Sequence, residues 1–296
     1  MHSLEFLEIN KRVWIAEKLG ECKRDHYLDM AKLIFFLQTG EISYNEFRTM
    51  ALYVLLNMEY KKEEFENADE EKWQNIFICS ELIDSFFVKD ENEVPHLILD
   101  FIHNPVKSVK YLNHSFYGPK DSFEDCTYGQ IEDGFGELEN YKKTNEIEYL
   151  VRLFAIFYLK SNETYDKIKL EKRIAFFKHL DIRYIYGFYL LFVSFVNYIT
   201  KECVILLDGR EIEICMLFNS KNDDLETSTD EIVESIGLRA TSFQLAESNV
   251  FGPYEDVRKT DYMLILIRMC DLIYRARHEK KEMERIKAES QTSSND

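Results

Sequence analysis

The feature that most restricts the fold of this chain is an uncharged, largely apolar run from Tyr184 to Thr200, with Arg183 before it and Lys201 after it. The run has 17 residues, fewer than the roughly 20 apolar residues that a membrane-spanning helix needs. Ser194, Asn197 and four tyrosines also make it more polar than a typical span. It therefore predicts a helix that is buried in the core of the protein.

Composition narrows the choice of partners. The chain has 296 residues, of which 46% are hydrophobic and only four are proline, so it can bury one large core or two modest ones. It has 37 basic and 54 acidic residues, which give a net charge of -17. Such a charge repels nucleic-acid phosphates and anionic lipids. We therefore expect neither nucleic acid nor a membrane as a partner.

The cysteines predict a reducing environment. They are scattered singly, without a CxxC pair, and the first residues mix acidic with apolar side chains where a signal peptide needs an apolar run. Disulfide frameworks belong mostly to small secreted proteins. We expect six reduced thiols in a cytosolic protein. The cysteines are Cys22, Cys79, Cys126, Cys203, Cys215 and Cys270.

Helical spacing of apolar residues predicts most of the chain as α-helix. A first helix begins near Arg24 and ends at Gly40, where a left-handed cap costs little. Ser43 and Glu46 form a capping-box pattern that starts a second helix, antiparallel to the first and ending near Asn57. Further helices are predicted over 72–87, 146–160, 168–180, 182–200, 231–236 and 241–246. A long final helix is predicted to start at the cap Thr260, and its charged second half, 275–289, is predicted to project from the protein.

Two β-hairpins are predicted. The first joins the segments 4–9 and 12–15, although a helix is the alternative there. The second turns at Asp208-Gly209, because this pair supplies the positive φ angles of a tight turn. The segment 94–102 is predicted to be extended, and the charged stretch 59–71 to be solvated. The residues predicted to share one face of the second hairpin are Ile212, Ile214, Met216 and Phe218.

Together these patterns predict a mainly α protein with antiparallel helical bundles, an N-terminal β-hairpin and a second β-hairpin near 203–218. We expect a hairpin with a helical subdomain over 1–115 and a helical subdomain with the inserted hairpin over 116–286. The tail 287–296 is expected to be disordered.

No group of residues forms a recognisable catalytic or metal-binding motif. Asp100, His103, His114, Asp121 and Cys126 are near one another in sequence but lack HxxxH or CxxC spacing. Nothing local activates the Cys126 thiol, and the glycines at 118, 129, 134 and 136 match neither phosphate-binding pattern. Acidic runs such as 132–133, 223–224 and 69–71 are interpreted as solvated faces. We predict no catalytic residue, no metal and no cofactor.

Two stretches share one design, which we interpret as the entrance to a helix. In residues 116–141, Gly118-Pro119 reads as a turn, and Thr127 with Gln130 forms a capping-box pattern before helical spacing begins. The same order of aromatic, Gly-Pro, acidic residues and threonine recurs in "FGPYEDVRKTDYM". The residues that we predict to contact a partner protein are Tyr117, Asp121, Phe251, Tyr254, Arg275 and Arg277.

In their order, several segments resemble a group of proteins encoded in phage and prophage tail-assembly gene clusters, beside the tape measure. The segments are "LEINKRVWI", "LIFFLQTGEISYNEFRTMALYVLLNM", "FIHNPVKSV", "FYGPKDSFEDCTYGQIEDGFGELENYKKTNEIEYLVRLFAIFY", "IYGFYLLFVSFVNYI" and "LAESNVFGPYEDVRKTDYMLILIRMCD". They cover most of the chain. One departure is that "AEKLGECKRDHY" stands where the group would have a Pro-x-x-Trp turn.

The resemblance implies a non-enzymatic structural or tail-assembly accessory protein that acts through protein–protein interaction, in the host-cell cytoplasm or in a virion. A homo-oligomer stays open as a further expectation. Two alternatives come from the residues themselves. One is an acidic inhibitor or decoy that binds a basic, nucleic-acid-binding partner, for which the charge of -17 is the motive. The other is an uncharacterised metal-dependent or cysteine hydrolase.

Overall fold

The structure is a computed structural model that describes residues 1–6, 10–59, 70–207, 209–218 and 242–292. It confirms a mainly α protein with small antiparallel sheets. The α-helices are α1 (Arg24–Gln38), α2 (Tyr44–Leu55), α3 (Glu70–Ser80), α4 (Tyr128–Thr144), α5 (Ile147–Phe157), α6 (Lys167–Phe177), α7 (Ile182–Lys201), α8 (242–247), α9 (Tyr254–Lys259) and α10 (Tyr262–Thr292). The strands are β1 (His2–Phe6), β2 (Lys11–Ile15), β3 (Phe87–Lys89), β4 (Pro95–Leu97), β5 (Ser108–Tyr111), β6 (His114–Tyr117), β7 (Leu159–Lys160), β8 (Val204–Leu207) and β9 (Arg210–Glu213).

The chain folds into two compact units, each built from two segments. Unit 1 contains Met1–Phe123 and Asn140–Phe195, and unit 2 contains Glu124–Glu139 and Val196–Asp296. This grouping differs from the division expected at residue 116, because both units draw on the segment that follows it.

Local signals predicted the start of unit 1 well. β1 and β2 pair antiparallel as the expected hairpin. Helix α1 ends beside Gly40, whose φ of +75° is the left-handed cap that the sequence indicated. Before α2, Ser43 and Glu46 form both hydrogen bonds of the capping box. These caps need only residues within one helical turn, so the sequence contains all the information they require.

The core of unit 1 is aromatic, and the apolar run from Tyr184 supplies much of it. Helix α7 is long and apolar enough to cross a membrane by length and composition alone, and 56% of its most apolar window is buried inside the protein. Ser194 on this helix hydrogen bonds to the backbone amide of Phe101 at 2.9 Å and so satisfies a buried polar group. The rings that contact one another in this core belong to Phe123, Phe154, Phe157, Phe188, Phe192 and Phe195.

A three-stranded sheet in unit 1 was not predicted. Strands β5 and β6 form a hairpin around Leu112 and Asn113, whose φ angles are 44° and 61°. Strand β7 adds to β6 from a point far along the chain. The turn lacks glycine, which is the usual sequence signal for two consecutive positive φ angles.

The helix predicted over 72–87 was only partly right. Helix α3 ends at Ser80, and the chain continues as a 3₁₀ turn over Glu81–Phe86 before it enters β3. The side chains of Ile83 and Phe86 are fully buried, and Phe86 accepts a hydrogen bond from the amide of Ile98. Packing and pairing with β4 therefore outweigh the local helical pattern. The predicted helix over 231–236 lies outside the described residues.

In unit 2, β8 and β9 confirm the second hairpin, and Gly209 has the expected positive φ of +77°. The prediction that Ile214, Met216 and Phe218 continue the face of Ile212 along the strand was wrong. The strand ends at Glu213 because the amides of Ile214 and Cys215 both donate to the carbonyl of Cys203, at 2.9 and 3.3 Å. Residues Ile214–Leu217 therefore form a 3₁₀ turn.

The predicted cap of the final helix was also wrong by one residue. Thr260 turns back and donates its hydroxyl to the carbonyl of Asp256 at 2.9 Å. The carboxylate of Asp261 instead accepts from the amide of Leu264 at 3.1 Å, so Asp261 caps α10. Both residues are good cap formers, and the short helix α9 before them decides which one is used.

We predict that two glycine substitutions have opposite effects. A Cβ at Gly118 would lie 2.6 Å from Cζ of the buried Tyr158, so Gly118→Ala should destabilise the protein by about 1–3 kcal/mol. Gly136, inside α4, has nothing within 4 Å of a Cβ, so Gly136→Ala should stabilise by about 0.5–1 kcal/mol. Urea unfolding measures both free energies. Equal effects of the two substitutions would contradict this packing.

Candidate functional site

Two of the predicted contact residues lie in unit 1. Tyr117, at the end of β6, is 50% exposed. The carboxylate of Asp121 accepts a hydrogen bond from the amide of Asn104 at 2.8 Å and lies 3.8 Å from the ammonium of Lys107. Asp121 therefore holds its own loop together, whereas the Tyr117 ring is the more accessible of the two.

The other four lie in unit 2. Phe251 and Tyr254 are partly exposed, and the Tyr254 ring stacks on Phe243 with a centroid distance of 4.8 Å. Arg275 and Arg277 are exposed on α10, and the Arg275 guanidinium pairs with Asp271 at 3.1 Å. The structure thus assigns these four to one unit, with Tyr254 already engaged in packing.

The two stretches of shared design pair with each other in unit 2. The amide of Tyr128 donates to the carbonyl of Thr260 at 2.8 Å, and the amide of Tyr262 donates to the carbonyl of Cys126 at 3.3 Å. Between these bonds, Thr127 and Asp261 form an antiparallel β-bridge. Thr127 and Gln130 also make the predicted capping box. The entrances of α4 and α10 are therefore fixed by one shared backbone contact.

A buried ion cluster lies directly beside this bridge. The guanidinium of Arg258 is 2.8 Å from the Glu132 carboxylate and also hydrogen bonds to Asp133. The exposed fractions of the Arg258 and Glu132 side chains are 6% and 3%. Ser242 donates a further hydrogen bond to Glu132 at 3.0 Å. The interpretation of 132–133 as a solvated face was therefore wrong, since both carboxylates pair with a cation that lies 125 residues beyond Asp133 along the chain.

Gly129 makes room for this cluster. A Cβ at this position would lie 3.0 Å from the backbone oxygen of Arg258 and 3.2 Å from its Cβ. The Gly129 carbonyl accepts a hydrogen bond from Arg258 at 3.3 Å. Burial by itself lowers the pKa of Arg258, but the carboxylates of Asp133 and Glu132 outweigh burial and raise the pKa above its usual value. The arginine is therefore always charged, and its charge stabilises the fold by pairing with Glu132 and Asp133.

The cysteines offer no activated thiol among the buried positions. Burial raises the pKa of the Cys126 thiol well above its usual value, and Asp125 and Asp261 add to the effect. Burial likewise raises the pKa of Cys22 to about 12 and that of Cys270 to about 11. A thiolate is the nucleophilic form, so these thiols are poorly suited to nucleophilic attack at neutral pH.

The acidic residues among the group that lies close in sequence, Asp100 and Asp121, each have their own partner. Asp100 forms an ion pair with Lys18, and Asp121 is held by Asn104. Within the described ranges, no group of three or more histidine, cysteine, aspartate or glutamate side chains is arranged to hold a metal ion.

The distal part of α10 is exposed to solvent on nearly every side. All described residues from Arg275 to Ile286 except Glu282 are exposed. Met283 is 62% exposed and Ile286 is 55% exposed. They continue a stripe at alternating spacings of four and three residues, in which Leu272, Ala276, Met283 and Ile286 are apolar and only Glu279 is charged. Sequence reasoning singled out the projection and its arginines but missed this apolar stripe.

No protein-family model, curated protein or solved structure matches this chain.

We predict that Arg258→Met lowers the free energy of unfolding by about 3–5 kcal/mol, because it leaves two buried carboxylates without their cation. Arg285→Met serves as the matched control. It breaks a pair with Glu282 that is exposed to solvent, and it should cost less than about 1 kcal/mol. Adding Glu132→Gln and Asp133→Asn to Arg258→Met should recover part of the loss. Denaturant unfolding tests this, and equal costs for the two single variants would contradict a buried cluster.

We also predict the order in which cysteines react with iodoacetamide in the native protein at pH 8. Cys22, Cys126, Cys203 and Cys270 are buried, whereas Cys79 and Cys215 are partly exposed and should react first. Peptide mass spectrometry after timed labelling gives the order. Fast labelling of Cys126 would contradict its burial and would support the alternative that the protein is a cysteine hydrolase.

Proposed function

We propose that this protein is a non-enzymatic structural or tail-assembly accessory protein of phage type, and that it binds its partner through the exposed end of α10. The resemblance of its segments to proteins encoded beside the tape measure supports the assembly role. The apolar stripe on an exposed helix supports the mode of binding. We also propose that the helices form antiparallel bundles, because the connections between them are short.

The observation that carries the proposal is that the side chains from Arg275 to Ile286 are exposed, with Glu282 as the exception. Isolated helices shorter than about 12–15 residues are marginal in water, because most helical stability in proteins comes from packing. Contacts within the helix give only partial compensation, such as the pairs of Arg275 with Asp271 and of Arg285 with Glu282. An apolar stripe on such a helix gains stability when a partner covers it, as in helix-in-groove recognition.

Charge indicates what kind of surface would receive this helix. The segment 275–286 carries five basic and three acidic side chains, whereas the whole chain has a net charge of -17. A basic helix with an apolar stripe suits an apolar groove with an acidic rim. Arg275 and Arg277, which we predicted as partner contacts, stand on this segment.

The test is co-expression with the structural proteins encoded beside its own gene, followed by affinity purification. We expect one tail component to co-purify, and Met283→Ser with Ile286→Ser to weaken that complex by about tenfold or more. The matched control is Lys281→Ser with Glu284→Ser, which changes the opposite side of the helix and leaves the net charge as it was. The control should bind like the unsubstituted protein.

Three outcomes would contradict the proposal. One is that no tail component co-purifies, and another is that the control weakens the complex as much as the stripe variant. The third is a dimer of this chain that depends on Met283 and Ile286, since a second copy would then be the occupant. Light scattering of the purified protein detects such a dimer.

The acidic decoy is a second candidate, favoured by the charge of -17. It requires a basic partner whose binding falls steeply with salt, because exposed charges are screened over about 8 Å at physiological ionic strength. A complex that survives 0.5 M salt and depends on the α10 stripe supports the assembly proposal. A complex lost in salt but insensitive to Met283 and Ile286 supports the decoy.

A further inference from the structure

A cavity of about 620 Å³ lies in unit 1. One wall is the face of α6 that carries Lys169, Lys172 and Arg173. The other is Lys160 at the end of β7, together with the turn that leads to Glu163. Small-molecule sites usually have volumes of about 300–1,000 Å³, so the cavity can enclose a ligand of ordinary size.

The side chains that line this cavity are mostly basic, whereas the protein as a whole is acidic. It carries four basic side chains and one acidic side chain. On α6, residues 169, 172 and 173 are spaced as neighbours on one helical face. The ammonium groups of Lys160, Lys169 and Lys172 form no ion pair with any residue that the structure describes. Three exposed lysines therefore line the cavity without an ion-pair partner among the described residues, and the Lys160 ammonium lies 5.9 Å from the centre of the Phe116 ring.

Contacts within the protein hold the Arg173 side chain in place and leave one of its nitrogens without an acceptor among the described residues. The Arg173 side chain is 6% exposed. Its Nε donates to the carbonyl of Ala155 at 2.9 Å, and its Nη1 donates to Glu163 at 2.7 Å. Its Nη2 is buried and has no hydrogen-bond acceptor among the described residues. The guanidinium therefore stays fixed beside the cavity by contacts within the protein, and it adds positive charge to the wall that carries Lys169 and Lys172.

An aromatic wall completes the cavity. Phe176, one helical turn after Arg173, is partly exposed and lines the cavity with Phe116. Its ring lies 5.4 Å from those of Phe116 and Tyr111 and 5.6 Å from that of His114. These contacts fix the orientation of the ring. A planar group that enters the cavity therefore meets a rigid aromatic surface.

We infer that this cavity binds a nucleoside phosphate, with the phosphates against the lysines and Arg173 and the base beside Phe176. A small ligand fits better than an acidic polymer. The charge of -17 repels a nucleic acid over its whole length, whereas a small anion inside the cavity experiences mainly the nearest cations, since salt screens the rest. An extended acidic peptide would spread its charge over more surface than this single cavity offers.

The test is isothermal titration calorimetry of the full chain with ATP, inorganic pyrophosphate and adenosine as separate probes. We expect one saturable site for ATP, weaker binding of pyrophosphate and weakest binding of adenosine. Lys169→Glu with Lys172→Glu should weaken ATP binding by about tenfold or more, since both substitutions place carboxylates against the phosphates. The control is Lys178→Glu, an exposed position just after α6 that does not line the cavity.

Thermal unfolding with and without ATP shows that a loss of binding is not a loss of folding. The unsubstituted protein and the Lys178→Glu variant should gain melting temperature with ATP, whereas the doubly substituted variant should melt normally and gain nothing. Several results would overturn the proposal. The protein could fail to bind ATP, or the double substitution could leave ATP binding intact. Pyrophosphate could bind as tightly as ATP, or a glutamate-rich peptide could bind more tightly than ATP.

Discussion

The interaction on which unit 2 depends is the burial of Arg258 between Glu132 and Asp133. A guanidinium cannot leave water unless carboxylates meet it, so this cluster forms only when α9 lies against the first turns of α4. The same approach places Thr127 opposite Asp261 and lets the two helix entrances share backbone hydrogen bonds. The position of the start of α10 within unit 2 therefore depends on a few atoms around Arg258.

The two ends of α10 consequently have different sources of stability. Near its start, Tyr262, Ile265, Leu266 and Cys270 are buried, and the bridge fixes the first turn. Beyond Tyr274 the side chains described by the structure are exposed, apart from Glu282, and Arg285 pairs with Glu282 of the same helix. The basic residues of the chain are also unevenly placed, since both this segment and the unit 1 cavity are basic within an acidic protein.

Features set by neighbouring residues could be predicted from the sequence, and features set by distant ones could not. The caps at Ser43 and Thr127 and the turn at Gly209 need only a few adjacent residues. Glu132 and Asp133 looked solvated because their cation comes from position 258. The cavity in unit 1 was missed for the same reason, since it joins β7 to one face of α6 and only the folded chain brings Lys160 near Lys172. The partner contacts at Tyr117 and Arg275 stay predictions.

The most direct test of the central claim is hydrogen exchange along α10, measured by mass spectrometry with and without the tail component that co-purifies. The account predicts slow exchange from Tyr262 to Cys270 in the isolated protein, because packing protects these amides, and fast exchange beyond Arg275. Addition of the partner should slow exchange beyond Arg275. Uniform slow exchange along the whole of α10 in the isolated protein, or no change on adding the partner, would contradict it.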